Sequence, residues 1–219
     1  MPVPPNDLPI TIRSSPTWWQ RVVPTSGEIE VEDPPLRAEL FSAEQIAAHG
    51  ERLASAHVVS DTALSDRLLA RLADNERVLV AVAKQLAVAA DADRRYTPAA
   101  EWLLDNFYLI EEEVRTARRH LPRGYSKKLP RLAHTPANGT AAGLPRVYDL
   151  ALQAIAHADG RLSRGTLSRF VAAYQTGQPL KLGELWAFAI MLRLALIENL
   201  RRVAVRISRA LEDRDLAES

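Results

Sequence analysis

The sequence predicts an all-α fold, a bundle of about six helices with an extended proline-rich N-terminal arm. Three observations carry this. Apolar residues recur at three- and four-residue spacing through residues 36–211, and no window keeps the period of two that a strand needs for more than a few residues. Eight of the 14 prolines fall in residues 1–35. Helix-opening signals stand where the periodic stretches begin.

The organisation follows in chain order. Proline fixes φ and removes a backbone donor, so residues 1–35 read as an extended arm. Trp18 and Trp19 mark it as a segment that docks, on this domain's own helices or elsewhere. Ser42-Ala43-Glu44-Gln45 has capping-box spacing and opens a helix to about His57. A second helix, about Asp61 to Ala90, carries the seam Leu68, Leu72, Asn75, Leu79, Val82, Leu86, with Asn75 read as half-exposed. Thr97-Pro98 opens a third helix with the seam Leu103, Phe107, Ile110, Val114, Ala117, Leu121, closed by Pro122. Residues 122–144, rich in proline and glycine, read as a loop with at most one helical turn. Pro145 opens a fourth helix through Val147, Leu150, Ala151, Ala154, Ile155 and Ala158, and Asp159-Gly160 turns it. A fifth runs from about Ser163 to Gln175, with Gly177 as C-cap. The sixth, about Leu182 to Leu211, shows the stripe Leu185, Ala189, Leu192, Leu196, Leu200, Val203, Ile207, Leu211. The domain is thus residues 36–211, and residues 212–219 read as an acidic frayed tail.

Composition narrows the function classes. The 28 Lys+Arg against 27 Asp+Glu give a net charge of +1, which argues against a nucleic-acid partner held by bulk charge. With 47% hydrophobic and 25% charged residues, the chain reads as an ordinary soluble domain. The absence of cysteine excludes disulfides, thiolate metal sites and cysteine nucleophiles. The longest apolar run, Leu185 to Ile197, is 13 residues broken by Arg193, short of the roughly 20 a spanning helix needs. No secretory leader is expected from the first residues, which lack a basic and an apolar region.

Motifs for chemistry are few. There is no glycine-rich phosphate loop, no Gly-x-Ser-x-Gly and no His-Glu-x-x-His. None of His49, His57, His120, His134 and His157 pairs at three or four residues, so no helical metal site is read. Glu111, Glu112 and Glu113 could be nominated for acid–base work, but their spacing to Arg115 favours surface ion pairs. Arg193 interrupts the most apolar stretch and must find a partner. A structural ion network is therefore expected among Arg193, Glu198, Arg202 and Asp105, with Glu112 as a further partner for Arg193. The basic residues Arg118, Arg119, Arg123, Lys127 and Lys128, with Tyr125 among them and Arg131 just after, complement the third helix's dipole. The same patch could meet phosphate on a nucleotide sugar, a lipid head group or RNA.

Longer strings are more specific. Trp102-Leu103-Leu104-Asp105-Asn106-Phe107-Tyr108-Leu109-Ile110-Glu111-Glu112 leads to Leu121-Pro122-Arg123-Gly124-Tyr125. Pro145-Arg146-Val147-Tyr148, His157-Ala158-Asp159-Gly160-Arg161 and Met191-Leu192-Arg193-Leu194-Ala195-Leu196-Ile197-Glu198-Asn199-Leu200-Arg201-Arg202 follow in order. Over about residues 35–207 this succession resembles the N-terminal region of cyclic β-1,2-glucan synthases.

The resemblance implies a large bacterial inner-membrane protein in which a cytoplasmic N-terminal region precedes membrane helices, a UDP-glucose-dependent glycosyltransferase module and a phosphorylase-like module. It implies a divalent metal and UDP-glucose bound elsewhere, with no cofactor in this chain. The chain stops at Ser219, before any membrane helix, and has no Gln-x-x-Arg-Trp string, so context rather than catalysis carries over. The expected role is a non-catalytic helical scaffold or regulatory module, cytoplasmic or at the inner face of the inner membrane. Its partner would be the remainder of the synthase or a membrane-bound glycosyltransferase. Glycosyltransferase activity of the chain itself and a stand-alone interaction module are the alternatives.

Overall fold

A computed structural model describes residues 41–60, 67–91, 97–121, 124–133, 143–157 and 162–218. The proline-rich arm and the Asp159-Gly160 turn lie outside them. Among the described residues seven helices dominate, and the all-α expectation holds: α1 Ala43–Ala56, α2 Leu68–Asp91, α3 Pro98–Asp105, α4 Phe107–His120, α5 Arg146–Ala156, α6 Arg164–Gly177 and α7 Leu182–Glu218. Two-residue strands, β1 Val59–Ser60 and β2 Arg131–Leu132, pair antiparallel with Val59 opposite Leu132. The sequence gives no period-2 signal for so short a ribbon.

Local signals explain most helix ends. The capping box at Ser42 is complete, with Ser42 Oγ accepting from Gln45 N–H and Gln45 Oε1 accepting from Ser42 N–H. Thr97 and Ser163 cap α3 and α6 with the side-chain oxygen alone, accepting from the N–H of Ala100 and of Thr166. The third predicted helix is two. At Asn106 the side-chain amide donates to the Trp102 carbonyl at 2.8 Å, competing for an acceptor of the helical ladder. Its backbone leaves the helical region at φ −104°, ψ 11°, and the chain restarts as α4. Gly124, at φ 81°, then turns the chain into a 3-10 turn, Tyr125–Lys128. α7 does not stop at Leu211. No proline or glycine follows Gly183, and Gln85 of α2 donates to Glu212 at 2.7 Å, so residues 212–218 continue the helix.

α7 is the axis against which α2, α3, α4 and α5 pack. α5 is the most enclosed helix, with nine of its 11 residues buried. α1 and α6 form a separate close pair. A Cβ on Gly50 would stand 2.7 Å from the Phe170 carbonyl oxygen, and one on Gly177 would stand 3.0 Å from the Ala54 Cβ. Small residues on both helices let the backbones approach.

The predicted seam of α2 is buried throughout, Asn75 included. Register sends Asn75 inward whatever its polarity, correcting the half-exposed reading. The predicted stripe of α7 is mostly the opposite case, with Leu211 alone of its large residues buried. Leu185, Leu196 and Val203 are exposed, and Leu192, Leu200 and Ile207 are only half-buried. The inward face is instead Glu184, Ala187, Met191, Ala195, Glu198, Arg202 and Val205. Trp102 and Trp186, too, are on the surface. No helix among the described residues is long and apolar enough to cross a membrane.

Gly50→Ala is expected to lower stability by about 1–3 kcal/mol in urea melts, because overpacking against backbone outweighs the roughly 1 kcal/mol of helix propensity gained. Leu103, 1% exposed, should cost roughly 2–5 kcal/mol on truncation to alanine. Leu196, 50% exposed, should cost no more than about 0.5 kcal/mol. A loss at Leu196 as large as that at Leu103 would contradict the outward position of Leu196 on α7.

Candidate functional site

The ionisable groups of the interior converge on the first turn of α5. Arg146, Tyr148 and Asp149 are all buried there, and each reaches a different part of the chain. Burying such groups is costly unless each is partnered.

Tyr148 leads to the centre of α7. Its hydroxyl donates to Glu198 Oε2 at 2.6 Å. Arg71 of α2 grips both oxygens of the same carboxylate through Nε and Nη2, and Arg202 Nη2 donates at 2.8 Å from one turn further along α7. Burial alone would raise the Glu198 carboxyl. The hydrogen bond and charge of Arg71, then Tyr148 and Arg202, overcome this and hold it at about 2. Burial, then the charge of Glu198, pushes the Tyr148 phenol far above its usual range, so it stays a donor.

Arg146 leads to the start of α7. Its Nε and Nη2 bind the two oxygens of Glu184 at 2.7 and 2.8 Å, while Nη1 and Nη2 also reach Gln178 Oε1 and the Pro179 carbonyl. The Glu184 hydrogen bond is the main reason the Arg146 guanidinium is held even more firmly charged. Gln178 passes the network on, donating to the carbonyls of Ala54 and His57 at 2.7 Å. Asp149 completes the turn. Its Oδ2 lies 3.1 Å from His57 Nε2, and His57 Nδ1 lies 3.0 Å from the Tyr174 hydroxyl on α6. Burial, ahead of every other influence, pushes the Tyr174 phenol up to about 12.

A third cluster lies at the far end of α5. The Phe41 ring stacks on His157 at 3.7 Å, and His49 meets His157 edge-on at 4.5 Å. His49 Nε2 is 3.1 Å from Gln153 Oε1. Burial first, then the neighbouring His157 and Arg52, lowers the His49 pKa against the pull of Gln153.

The expected ion network is therefore redrawn. Glu198 and Arg202 are joined. Arg193 and Asp105 are not part of it. Arg193 sits on the outward side of α7 and pairs at 2.7 Å with Glu113, not with Asp105 or Glu112. Asp105 is exposed at the end of α3. Arg71, Tyr148, Arg146, Glu184, His57 and Asp149 join the buried network; the sequence pattern assigned a role to none of them and weighed His57 only as a metal ligand. One signal was available for the α5 residues: Arg146 and Asp149 lie three apart in a helix otherwise read from its apolar positions.

The basic patch is also redistributed. Arg131 is buried, donating to the carbonyls of Gly143 and Ser126. Arg118 pairs with Glu76. Arg123 lies outside the described residues. Arg119, Lys127 and Lys128 are exposed, and the Tyr125 hydroxyl reaches the Gly183 carbonyl at 3.5 Å. Arg115 donates to the Glu111 carbonyl oxygen, so the ion pair predicted between these side chains is replaced by a backbone contact. Two Asp-x-Asp strings, Asp91-Ala92-Asp93 and Asp213-Arg214-Asp215, escaped the sequence reading. Among the described residues no three metal-ligating side chains converge.

These features define an all-helical module whose buried carboxylates, Asp149, Glu184 and Glu198, are each bonded to partners within the chain. No protein-family model matches the chain. It is 35% identical over 188 residues, 85% of its length, to the cyclic β-(1,2)-glucan synthase NdvB of Rhizobium meliloti (strain 1021), of which it spans 6%. The chain is thus similar to one short region of a cyclic β-(1,2)-glucan synthase, as its sequence strings implied.

Glu198 yields a signed pH dependence. Its carboxyl is held at about 2 in the folded chain against an ordinary 4.5. It contributes stability that is complete above about pH 4.5 and is lost as pH falls through about 2, on the order of 3 kcal/mol in all. Glu198→Gln, leaving Arg71 and Arg202 without their carboxylate, should cost roughly 3–5 kcal/mol at pH 7. That deficit should shrink as pH falls from 4.5 to 2, because the unfolded wild type takes up a proton there while the folded one holds its charge until about 2; a constant deficit would mean the carboxylate is not ionised. Arg193→Met should cost about 1 kcal/mol or less, because its ion pair is open to solvent.

Proposed function

We propose that the chain is a non-catalytic helical scaffold module of a cyclic β-(1,2)-glucan synthase, positioning other parts of the polypeptide or complex that make the glucan. The similarity to a region of such a synthase supports the context. One structural observation supports the role. The ionisable groups that cluster in the interior, Glu198, Asp149, His57, Tyr148 and Tyr174, are buried and bonded to partners within the chain. A general acid or base must reach a substrate proton to act, and these reach one another.

In this reading UDP-glucose and a divalent metal bind elsewhere in the synthase. The module works at the cytoplasmic side, with the rest of the synthase or a membrane-bound glycosyltransferase as its partner. The test has two arms. The purified chain with UDP-glucose and magnesium is expected to form no β-1,2-linked product, and sustained incorporation of glucose would overturn the reading. In a full-length synthase, the substitution matching Glu198→Gln should lower the amount of folded enzyme and glucan together. Product per folded enzyme should stay within about twofold, since stability losses act through abundance. A collapse in that specific activity would put the residue in the chemistry.

A further inference from the structure

We propose that the N-terminal end of α7, with the turn Tyr125–Lys128 beside it, is a docking surface for an anionic lipid bilayer. Two large apolar side chains stand out there, Leu182 at 63% and Trp186 at 75% exposure, one turn apart on the same side of the helix. Exposed side chains of this size, grouped rather than scattered, mark an interaction surface.

The surroundings identify the occupant. The Tyr125 hydroxyl on the Gly183 carbonyl brings the 3-10 turn against the start of α7. Lys127 and Lys128 of that turn and Lys181, just before α7, are all exposed. The Glu113–Arg193 ion pair sets the register of α4 beside α7. α4 runs antiparallel to α7, because Tyr125 follows α4 and meets the start of α7, whereas Thr97 and Ala100 precede it and line a cavity with Ile207 and Leu211. One heptad on from Glu113 and one back from Arg193 places His120 level with Trp186. The acid nearest in sequence, Glu184, is buried and taken by Arg146, so it does not offset the lysines.

Tryptophan among flexible cations is the composition of a lipid-facing surface. The indole sits at the headgroup level while lysines reach phosphate. A protein partner fits less well, since lysine is depleted at protein interfaces. The proposal does not rest on the scaffold reading and can fail without it.

The full chain would be sedimented with vesicles of equal parts phosphatidylglycerol and phosphatidylcholine, and with phosphatidylcholine alone. Binding is expected only to the anionic vesicles and should weaken at high salt. Lys127→Gln with Lys128→Gln should weaken it about thirtyfold. Trp186→Ser should weaken it several-fold or more, while Trp102→Ser, at the other end of the helical layer, should not change it. Circular dichroism checks that each variant keeps its helices. Brominated lipid should quench tryptophan emission in the wild type and lose most of that quenching in Trp186→Phe. No binding by the folded chain, equal binding to both vesicles, or quenching unchanged in Trp186→Phe would overturn the proposal. No binding to either vesicle, with Trp186 unquenched, would leave a protein as the occupant of this surface.

Discussion

The fold depends on one constraint: three ionisable or polar groups in a single buried helical turn must each find a partner. Arg146, Tyr148 and Asp149 span four residues of α5 and point to three places. Arg146 ties down the start of α7 through Glu184, Tyr148 its middle through Glu198, and Asp149 the segment after α1 through His57. An unpartnered buried charge would cost several kcal/mol, a large share of the 5–15 kcal/mol a domain has in all. Those contacts set where α5 lies along α7.

The same turn joins the two halves of the helical assembly. α1 and α6 approach each other at Gly50, Ala54 and Gly177 more closely than either approaches the helices around α7. Polar contacts link this pair to the rest: His57 with Asp149, Gln178 with Arg146, His49 with Gln153, and the Arg146 guanidinium 6.0 Å from the Tyr174 ring centre. Apolar contact area grips without fixing direction. Hydrogen bonds to charged groups are directional and stronger than neutral ones, so they suit a junction that must hold one geometry.

Much of the fold was legible because it is local. Capping at Ser42, Thr97 and Ser163, and the seam of α2, follow from spacing alone. The break at Asn106 was legible in principle, since a short amide can take a helical carbonyl, but the apolar seam runs straight across it. The face of α7 was not legible. Its leucines repeat at helical spacing on the outside, while alanines, a methionine and carboxylates share the inside. A periodicity argument ranks faces by size and hydrophobicity and so chose the wrong one. In the site, Glu198 with Arg202 could be read from a four-residue spacing, but Arg71 lies 127 residues away from Glu198 and nothing local announces it. The three histidines of the interior were set aside for lack of short spacing, and the tertiary fold supplied the proximity instead.

Why α7 presents carboxylates inward and leucines outward can be decided by magnitude. A half-turn rotation would move Leu185, Leu196 and Val203 into the core, each already partly covered, gaining at most roughly 1.5–3 kcal/mol apiece. It would also withdraw Glu184 and Glu198 from Arg146, Arg71 and Tyr148. Each stranded charge costs roughly 3–5 kcal/mol, and the stranded phenol adds roughly 1–3. Bulky leucines would further have to occupy space shaped for Ala187 and Ala195, which are fully buried, and overpacking adds roughly 1–3 kcal/mol per site. The ionic arrangement therefore wins, though a purely apolar interior of the same shape could be as stable or more so. Its effect is to choose one rotation of a helix that carries apolar residues on more than one face. The same choice leaves Leu182, Trp186 and Leu196 on the surface, so the charges at the centre determine which apolar residues the chain presents to its surroundings.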